Sequence, residues 1–263
     1  MGVIRRNFDY IGSPVLAGLF AVLFVLESKF QLRRRVQNRW KRVKVNAQVA
    51  VPSFALLRFI FLPLMVKLAS RNQHICTRLG YFLPSHLLRQ ILAFFFLDYT
   101  NYLWHILNHK IPLLWRFHLV HHIDKDLDLT TAFRFHFGEL IGSIFYRGAF
   151  TYLSGATPLT VIIYEIAFEA ATEFHHSNTR LPLQLEQTLN KVMVTPRMHG
   201  IHHSVNKCET NSNFSVIFSF WDRLHGTLNL NVNQDDLIIG VAEYPGADKF
   251  KASELLMMPL MKG

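Results

Sequence analysis

Eleven of the chain's 14 histidines fall between His105 and His203, and most of them stand at helical intervals. His105 and His109 form HxxxH, while His118, His121 and His122 form HxxHH. His175 and His176 follow as a pair, and His199, His202 and His203 make a second HxxHH. At this histidine frequency roughly 0.04 copies of HxxHH are expected by chance, so two copies carry information. Positions i, i+3 and i+4 share one helix face, so each box aims two or three imidazoles at a common point. That is a grip for metal ions.

Imidazole suits iron, zinc, copper or nickel, and ligand number has to discriminate among them. A catalytic zinc takes about three protein ligands. The boxes offer eight to ten nitrogens, enough for two ions. His74, His86 and His225 are isolated and read as ordinary core or surface residues, and His136 and His175 lie outside the HxxHH spacings.

A metal-bound imidazole normally donates its other ring N–H to a carboxylate or carbonyl. Asp98 precedes His105 by seven residues, and Glu165, Glu169 and Glu173 run at i, i+4 and i+8 towards His176. Carboxylates in apolar helices are costly. Asp98, Glu169 and Glu173 are therefore expected to support the ligands, and Glu165 to reach the membrane interface. GxSxG, P-loop, GxGxxG and HExxH patterns are all absent from the sequence. Nucleophilic, phosphate and dinucleotide chemistry find no support there.

The elements that must position these boxes are apolar. Half of the 263 residues are hydrophobic and only 17% are charged, a low fraction for a water-facing surface. Tyr10 to Leu26 is uncharged, and its length just spans a hydrocarbon core. Ala47 to Ala69 and Leu83 to Trp104 are further spans, although they carry Arg58, Lys67, Arg89 and Asp98. Glu139 to Phe174 is a long apolar stretch broken at Ser154-Gly155-Ala156-Thr157-Pro158, which predicts a helical hairpin.

Arg33, Arg34, Arg35, Arg39, Lys41, Arg42 and Lys44 sit between the first two spans, where the positive-inside rule places cytoplasmic cations. That placement argues for membrane anchoring and against nucleic acid. Arg5 and Arg6 precede the first span without a small-residue cleavage site, so the span is expected to be retained. With the basic loop inside, every histidine box falls on the cytoplasmic face. Cys76 and Cys208 show neither zinc spacing nor a disulfide framework. The expected organisation is a membrane region over residues 1–95, a catalytic domain over 96–227 and a cytosolic extension over 228–263.

From Asp98 to Thr227 the chain resembles the fatty acid hydroxylase and sterol desaturase superfamily of integral-membrane di-iron enzymes. The resemblance rests on the order of HxxxH, HxxHH, Arg134-Phe135-His136, Phe174-x-His176-Ser177-Asn178, Pro196-Arg197-x-His199-x-x-His202-His203, Trp221-Asp222-Arg223-Leu224 and Gly226-Thr227. It implies an all-α membrane protein of about four spans, hairpin included, under a cytosolic helical cap. It implies two irons held by His105, His109, His118, His121, His122, His176, His199, His202 and His203, with His136 as a further ligand and Asn178 among the supporting residues. His175 stands at a position the family leaves variable, and His225 replaces the usual Phe.

The resemblance further implies dioxygen as co-substrate and a lipid substrate, sterol, fatty acyl or related, to be hydroxylated or desaturated. Reducing equivalents would come from NAD(P)H through a separate carrier, cytochrome b5-like or ferredoxin-like, for which the basic surface offers a dock. The membrane would be endoplasmic reticulum in a eukaryote or the inner membrane in a bacterium. The residues alone leave open a histidine-rich membrane zinc protein, either hydrolase or metal transporter.

Overall fold

A computed structural model describes residues 8–261, so Arg5 and Arg6 lie outside the described residues. The main helices are α1 (Ser13–Lys29), α2 (Arg39–Leu56), α3 (Leu62–Arg71), α4 (Gln73–Leu79), α5 (His86–Lys110) and α6 (Pro112–His122). They are followed by α7 (Phe137–Leu153), α8 (Pro158–His176), α9 (Leu183–Leu189), α10 (Pro196–His202), α11 (Lys207–Thr210), α12 (Phe220–His225) and α13 (Ala252–Met257). No strand forms among the described residues, only isolated bridges.

Two helices are long and apolar enough to cross a bilayer, Tyr10–Lys29 and Arg39–Arg71. The second joins α2 and α3 through a π-helical turn, Leu57–Phe61, beside Pro52 and Pro63. Proline lacks the N–H that would close a regular turn, and the π turn accommodates that loss. At 33 residues the helix is about 50 Å long, well beyond the roughly 30 Å of hydrocarbon. Its length leaves room for the cations at its ends, Arg39 to Lys44 and Lys67 to Arg71, to lie outside the apolar zone. Val22, Val25, Val51, Phe59, Leu87, Phe145 and Ile163 leave large apolar side chains exposed on these helices and their neighbours. A surface of that kind belongs in lipid, and the chain is a membrane protein.

The hairpin lies where the apolar stretch is interrupted. α7 ends at Leu153, Gly155 takes φ +67°, and Thr157 caps α8 by accepting from the Thr160 N–H, with Pro158 in the first turn. Positive φ suits glycine, and proline at a helix start loses no hydrogen bond. The α7–α8 pair packs on α3 and α5 around Phe61, Met65, Leu97, Val161 and Tyr164.

The segment expected as a C-terminal cytosolic extension packs onto the core through residues described up to 261. Leu255 and Ala252 of α13 pack on Val49 of α2 and on Leu119, Val120 and Ile123. The Gly240 N–H donates to the His203 carbonyl at 3.0 Å. Its polar composition conceals a few apolar anchors, and burying one Leu such as Leu255 stabilises by roughly 2 kcal/mol.

Part of the basic run also folds inward. Arg42 pairs with Asp124 at 2.8 Å and with Asp128, and Arg39 and Arg35 pair with Glu27 at 2.8 and 3.4 Å. The loop 30–38 is thus stitched to the segment after His122, where Asp126 accepts from the Val36 and Gln37 N–H groups. Arg33, Arg35, Arg39 and Arg42 thus serve as framework, while Arg34, Lys41 and Lys44 stay exposed.

Candidate metal centre

Four helices deliver the imidazoles. α5 supplies His105 and His109, one turn apart on one face. α6, opened by Pro112, supplies His118, His121 and His122. α8 ends at His176, and α10, opened by Pro196, supplies His199 and His202 before terminating at His203. These residues converge into two groups. His105, His109, His118, His122 and His202 form one, and His121, His176, His199 and His203 the other. The potential ligand atoms within each group lie within 4.8 Å of one another.

The groups are contiguous. The rings of His122 and His203 stack at 4.3 Å, and those of His118 and His121 lie 5.3 Å apart. Within the second group Nε2 of His176 lies 3.1 Å from that of His121 and 3.0 Å from that of His199, which is 3.1 Å from that of His203. Inward-facing nitrogens this close together suit ligation of a common cation.

The outer ring nitrogens are fixed so that the inner ones point inward. Nδ1 of His105 donates to the Phe214 carbonyl, that of His176 to the Thr172 carbonyl and that of His202 to the Ser212 carbonyl, each at 2.8 Å. His118 Nδ1 lies 3.1 Å from both oxygens of Glu139, which also accepts from Asn108 at 3.2 Å. This leaves Nε2 of these rings with a lone pair for a cation. The buried Nε2 atoms of His109 and His202 have no hydrogen-bond partner among the described residues. Orphaned buried nitrogens are rare without a ligand to satisfy them, so the donor set fits metal ions. Burial, reinforced by neighbouring imidazoles, holds His121, His122, His199, His202 and His203 well below the usual histidine range, and burial puts His176 at about 3. Neutral imidazole is the ligating form.

The remaining expectations fare unevenly. His136 caps α7, accepting the Gly138 N–H at Nδ1 and engaging the Leu256 carbonyl through Nε2 at 2.9 Å. Both ring nitrogens are committed, and it belongs to neither group. Spacing could not show this, because a capping histidine and a ligand look alike in sequence. His175 is buried against the rings of His176 and His199 but stands outside both groups.

Asp98 accepts from the Trp221 indole at 2.8 Å and from the Phe218 N–H rather than from an imidazole. Asn178 grips the Arg33 backbone through both side-chain atoms, at 2.9 and 2.8 Å. Glu169 lines a cavity beside Arg147, and one oxygen of Glu173 is buried without a partner. The carboxylate that does meet a ligand is Glu139, which the apolar stretch it opens had concealed. The rule that marks acids in apolar helices would have found it if applied there too.

The Trp221-to-Thr227 motif acts indirectly. Asp222 accepts from the Phe214 and Ser215 N–H groups and from Thr227, and so fixes the segment whose Phe214 carbonyl orients His105. Gly226 ends α12 at φ +68°, a conformation that favours glycine. His225 stacks on Tyr99 and Tyr102, occupying an aromatic's place as an aromatic.

Two adjoining cavities lead to the centre. The outer one, about 120 Å³, lies among Phe54, Leu57, Phe133, Leu140, Arg147 and Glu169. The inner one, about 60 Å³, is walled by His105, His118, His121, His176 and His199. Asn101, Trp104, Phe135, Glu139, Phe168 and Thr172 line both. Phe135 stacks on the His121 ring at 4.3 Å.

Fold and site define a helical membrane protein with paired polyhistidine groups that could hold metal ions at the end of an apolar passage. The chain belongs to the fatty acid hydroxylase family, whose model matches residues 90–227, more than half of it. It is 31% identical over 152 residues to an ornithine lipid hydroxylase of Rhizobium tropici, covering 57% of this chain and 45% of that one. It is 30% identical over 171 residues to an alkylglycerol monooxygenase of Danio rerio, covering 65% and 36%. It is 29% identical over 149 residues to a cholesterol 25-hydroxylase of Homo sapiens, covering 56% and 52%. The chain therefore spans about half the length, or less, of these curated relatives. No solved structure matches it.

Proposed function

We propose that the protein is a membrane oxygenase that hydroxylates or desaturates a lipid at a di-iron centre. The observation that carries this reading is the pair of contiguous histidine groups at the inner end of an apolar passage whose outer wall belongs to a candidate membrane span. A hydrolytic zinc site needs about three protein ligands, whereas nine imidazoles gather here. The relatives' names, ornithine lipid hydroxylase, alkylglycerol monooxygenase and cholesterol 25-hydroxylase, support a lipid substrate.

His105, His109, His118, His122 and His202 would hold one iron, and His121, His176, His199 and His203 the other. Bound iron would supply the oxidising power by which dioxygen, two electrons and two protons convert a C–H group to C–OH and water. The chain's own part is to orient these imidazoles through Glu139 and the Phe214, Thr172 and Ser212 carbonyls, to exclude water, and to admit an acyl, sterol or related chain past Phe54 and Phe133. The electrons would come from NAD(P)H through a separate carrier, cytochrome b5-like or ferredoxin-like. We read the remaining apolar helices α5, α7 and α8 as completing about four spans, with the histidines in a cap on the cytoplasmic side. The membrane would be endoplasmic reticulum or a bacterial inner membrane.

The test is elemental analysis of the full chain purified into lipid nanodiscs, for the wild type and for His121→Ala combined with His202→Ala. About two metal ions per chain, lost in the double variant, together with oxygen-dependent oxidation of added lipids by the iron-loaded wild type, is the expected result. One metal or none, unaffected by the substitutions, would overturn the proposal.

A further inference from the structure

Among the described residues four arginines are buried, Arg33, Arg42, Arg134 and Arg147. Three of them face carboxylates within 4 Å. Arg42 and Arg134 meet Asp124 at 2.8 and 3.7 Å, and Arg147 meets Glu165 at 2.7 Å. Arg33 is the exception. Its Nη1 donates to two neutral acceptors, the Pro196 carbonyl at 3.1 Å and Gln234 Oε1 at 2.8 Å. Its Nε and Nη2 are buried without any partner. Burial lowers its pKa to about 10, so the group remains a cation at neutral pH. Glu186, and more weakly Glu27 and Asp126, act on it from beyond contact distance. A buried charge without a contacting counter-ion is costly, and a fold retains one where something compensates the cost.

The surroundings identify what the charge faces. The guanidinium lies against Gly200, where a Cβ would collide with Nη1. Gly200 sits between His199 and His202 on the helix that presents three of the imidazoles. From the other side, Asn178 accepts the Arg33 N–H and donates to its carbonyl, and Asn178 follows His176 by two residues. Arg33 is therefore clamped between the segments that carry His176 and His199, both in the second histidine group. Its Nε and Nη2 have no acceptor among the described residues, and the carboxylate that acts on it most strongly, Glu186, is itself paired with Arg197 at 2.9 Å.

We propose that Arg33 is an electrostatic positioning residue for the His121–His176–His199–His203 group, a fixed cation that favours the more reduced state of the metal held there. The inference rests on the metal-centre reading of those histidines. A positive charge in a low-dielectric interior destabilises the more highly charged oxidised ion more than the reduced one, so it raises the reduction potential. Glycine at position 200 is what admits the guanidinium against this helix, and the Asn178 clamp is what keeps it there.

The experiment is an anaerobic redox titration of the iron-loaded full chain in nanodiscs, preceded by metal analysis, for wild type, Arg33→Gln and Arg33→Lys. The expected result is full metal content in all three, a reduction potential shifted downward in Arg33→Gln, and a potential close to wild type in Arg33→Lys, which keeps the charge. An unchanged potential in a metal-replete Arg33→Gln would overturn the inference while leaving the metal centre intact. Equal loss of metal from both variants would also overturn it, reducing Arg33 to a structural tether. A wild type that binds no metal would overturn the proposed function together with this inference.

Discussion

His118 and Glu139 meet across 21 residues of sequence, Nδ1 of the ring lying 3.1 Å from each carboxylate oxygen. The carboxylate fixes which ring nitrogen carries the proton, and so leaves Nε2 of His118 directed at His122, 3.1 Å away. Partners of this kind typically contribute 10- to 100-fold to metal affinity. Glu139→Leu should lower affinity by about that factor, measured by competition with a chelator. Glu139→Gln, which can still accept the hydrogen bond, should lose less.

His136 and His121 should separate cleanly as single alanine variants. His136→Ala removes a helix cap and the contact to the Leu256 carbonyl, so it should cost about 1–2 kcal/mol of stability in chemical denaturation. Its metal content should equal wild type. His121→Ala should lose metal with a smaller effect on the apoprotein. Loss of metal from His136→Ala would restore that residue as a ligand.

The passage to the centre can be plugged without touching a ligand. Ser143 is a buried residue of α7 that lines the outer cavity and not the inner one. Ser143→Phe should retain full metal while lipid turnover falls by about tenfold or more, since overpacking a filled wall displaces its neighbours. Unimpaired turnover with a large lipid would show that substrate enters elsewhere.

Acid sensitivity should trace to the ion network beneath the basic loop. Burial pushes the Asp128 carboxyl up, but the Arg42 charge and hydrogen bonds from Arg42 and Thr130 outweigh it and hold the pKa at about 2, against 3.8 unperturbed. A folded pKa below the unfolded one means that the unfolded chain binds more protons in that interval, so stability falls as the pH drops. The contribution, roughly 2 kcal/mol, is present above about pH 4 and lost as the pH falls towards 2. Asp128→Asn should flatten that part of the stability profile, measured by thermal melting of the metal-free protein from pH 5 to 2.

The histidine boxes were legible because i, i+3 and i+4 spacing is both a sequence pattern and a geometric statement. All nine box histidines converge. The hairpin was legible for a similar reason, since Gly155 and Pro158 act through local backbone preferences. The supporting groups were not, because three of the four ring contacts use main-chain carbonyls, of Phe214, Thr172 and Ser212, and a carbonyl has no sequence signature. The pairing of half the basic run was hidden for a different reason. Charge alone does not reveal direction, and Glu27, Asp124 and Asp128 had to be brought alongside before Arg39 and Arg42 turned inward. Asp98 shared a helix face with His105 yet went to Trp221, a residue 123 positions away.

The hydrogen bond from Gly240 to the His203 carbonyl and the seat of Leu255 against α6 bear on how the protein is made. The imidazoles come from segments that emerge from the ribosome in sequence, and the last HxxHH is braced by residues that emerge later still. During synthesis the earlier boxes are exposed before their partners exist. Metal captured then would meet an incomplete set of nitrogens, so tight loading would belong to a late stage, after the segment around Leu255 has docked, when ligand geometry and chain closure reinforce one another.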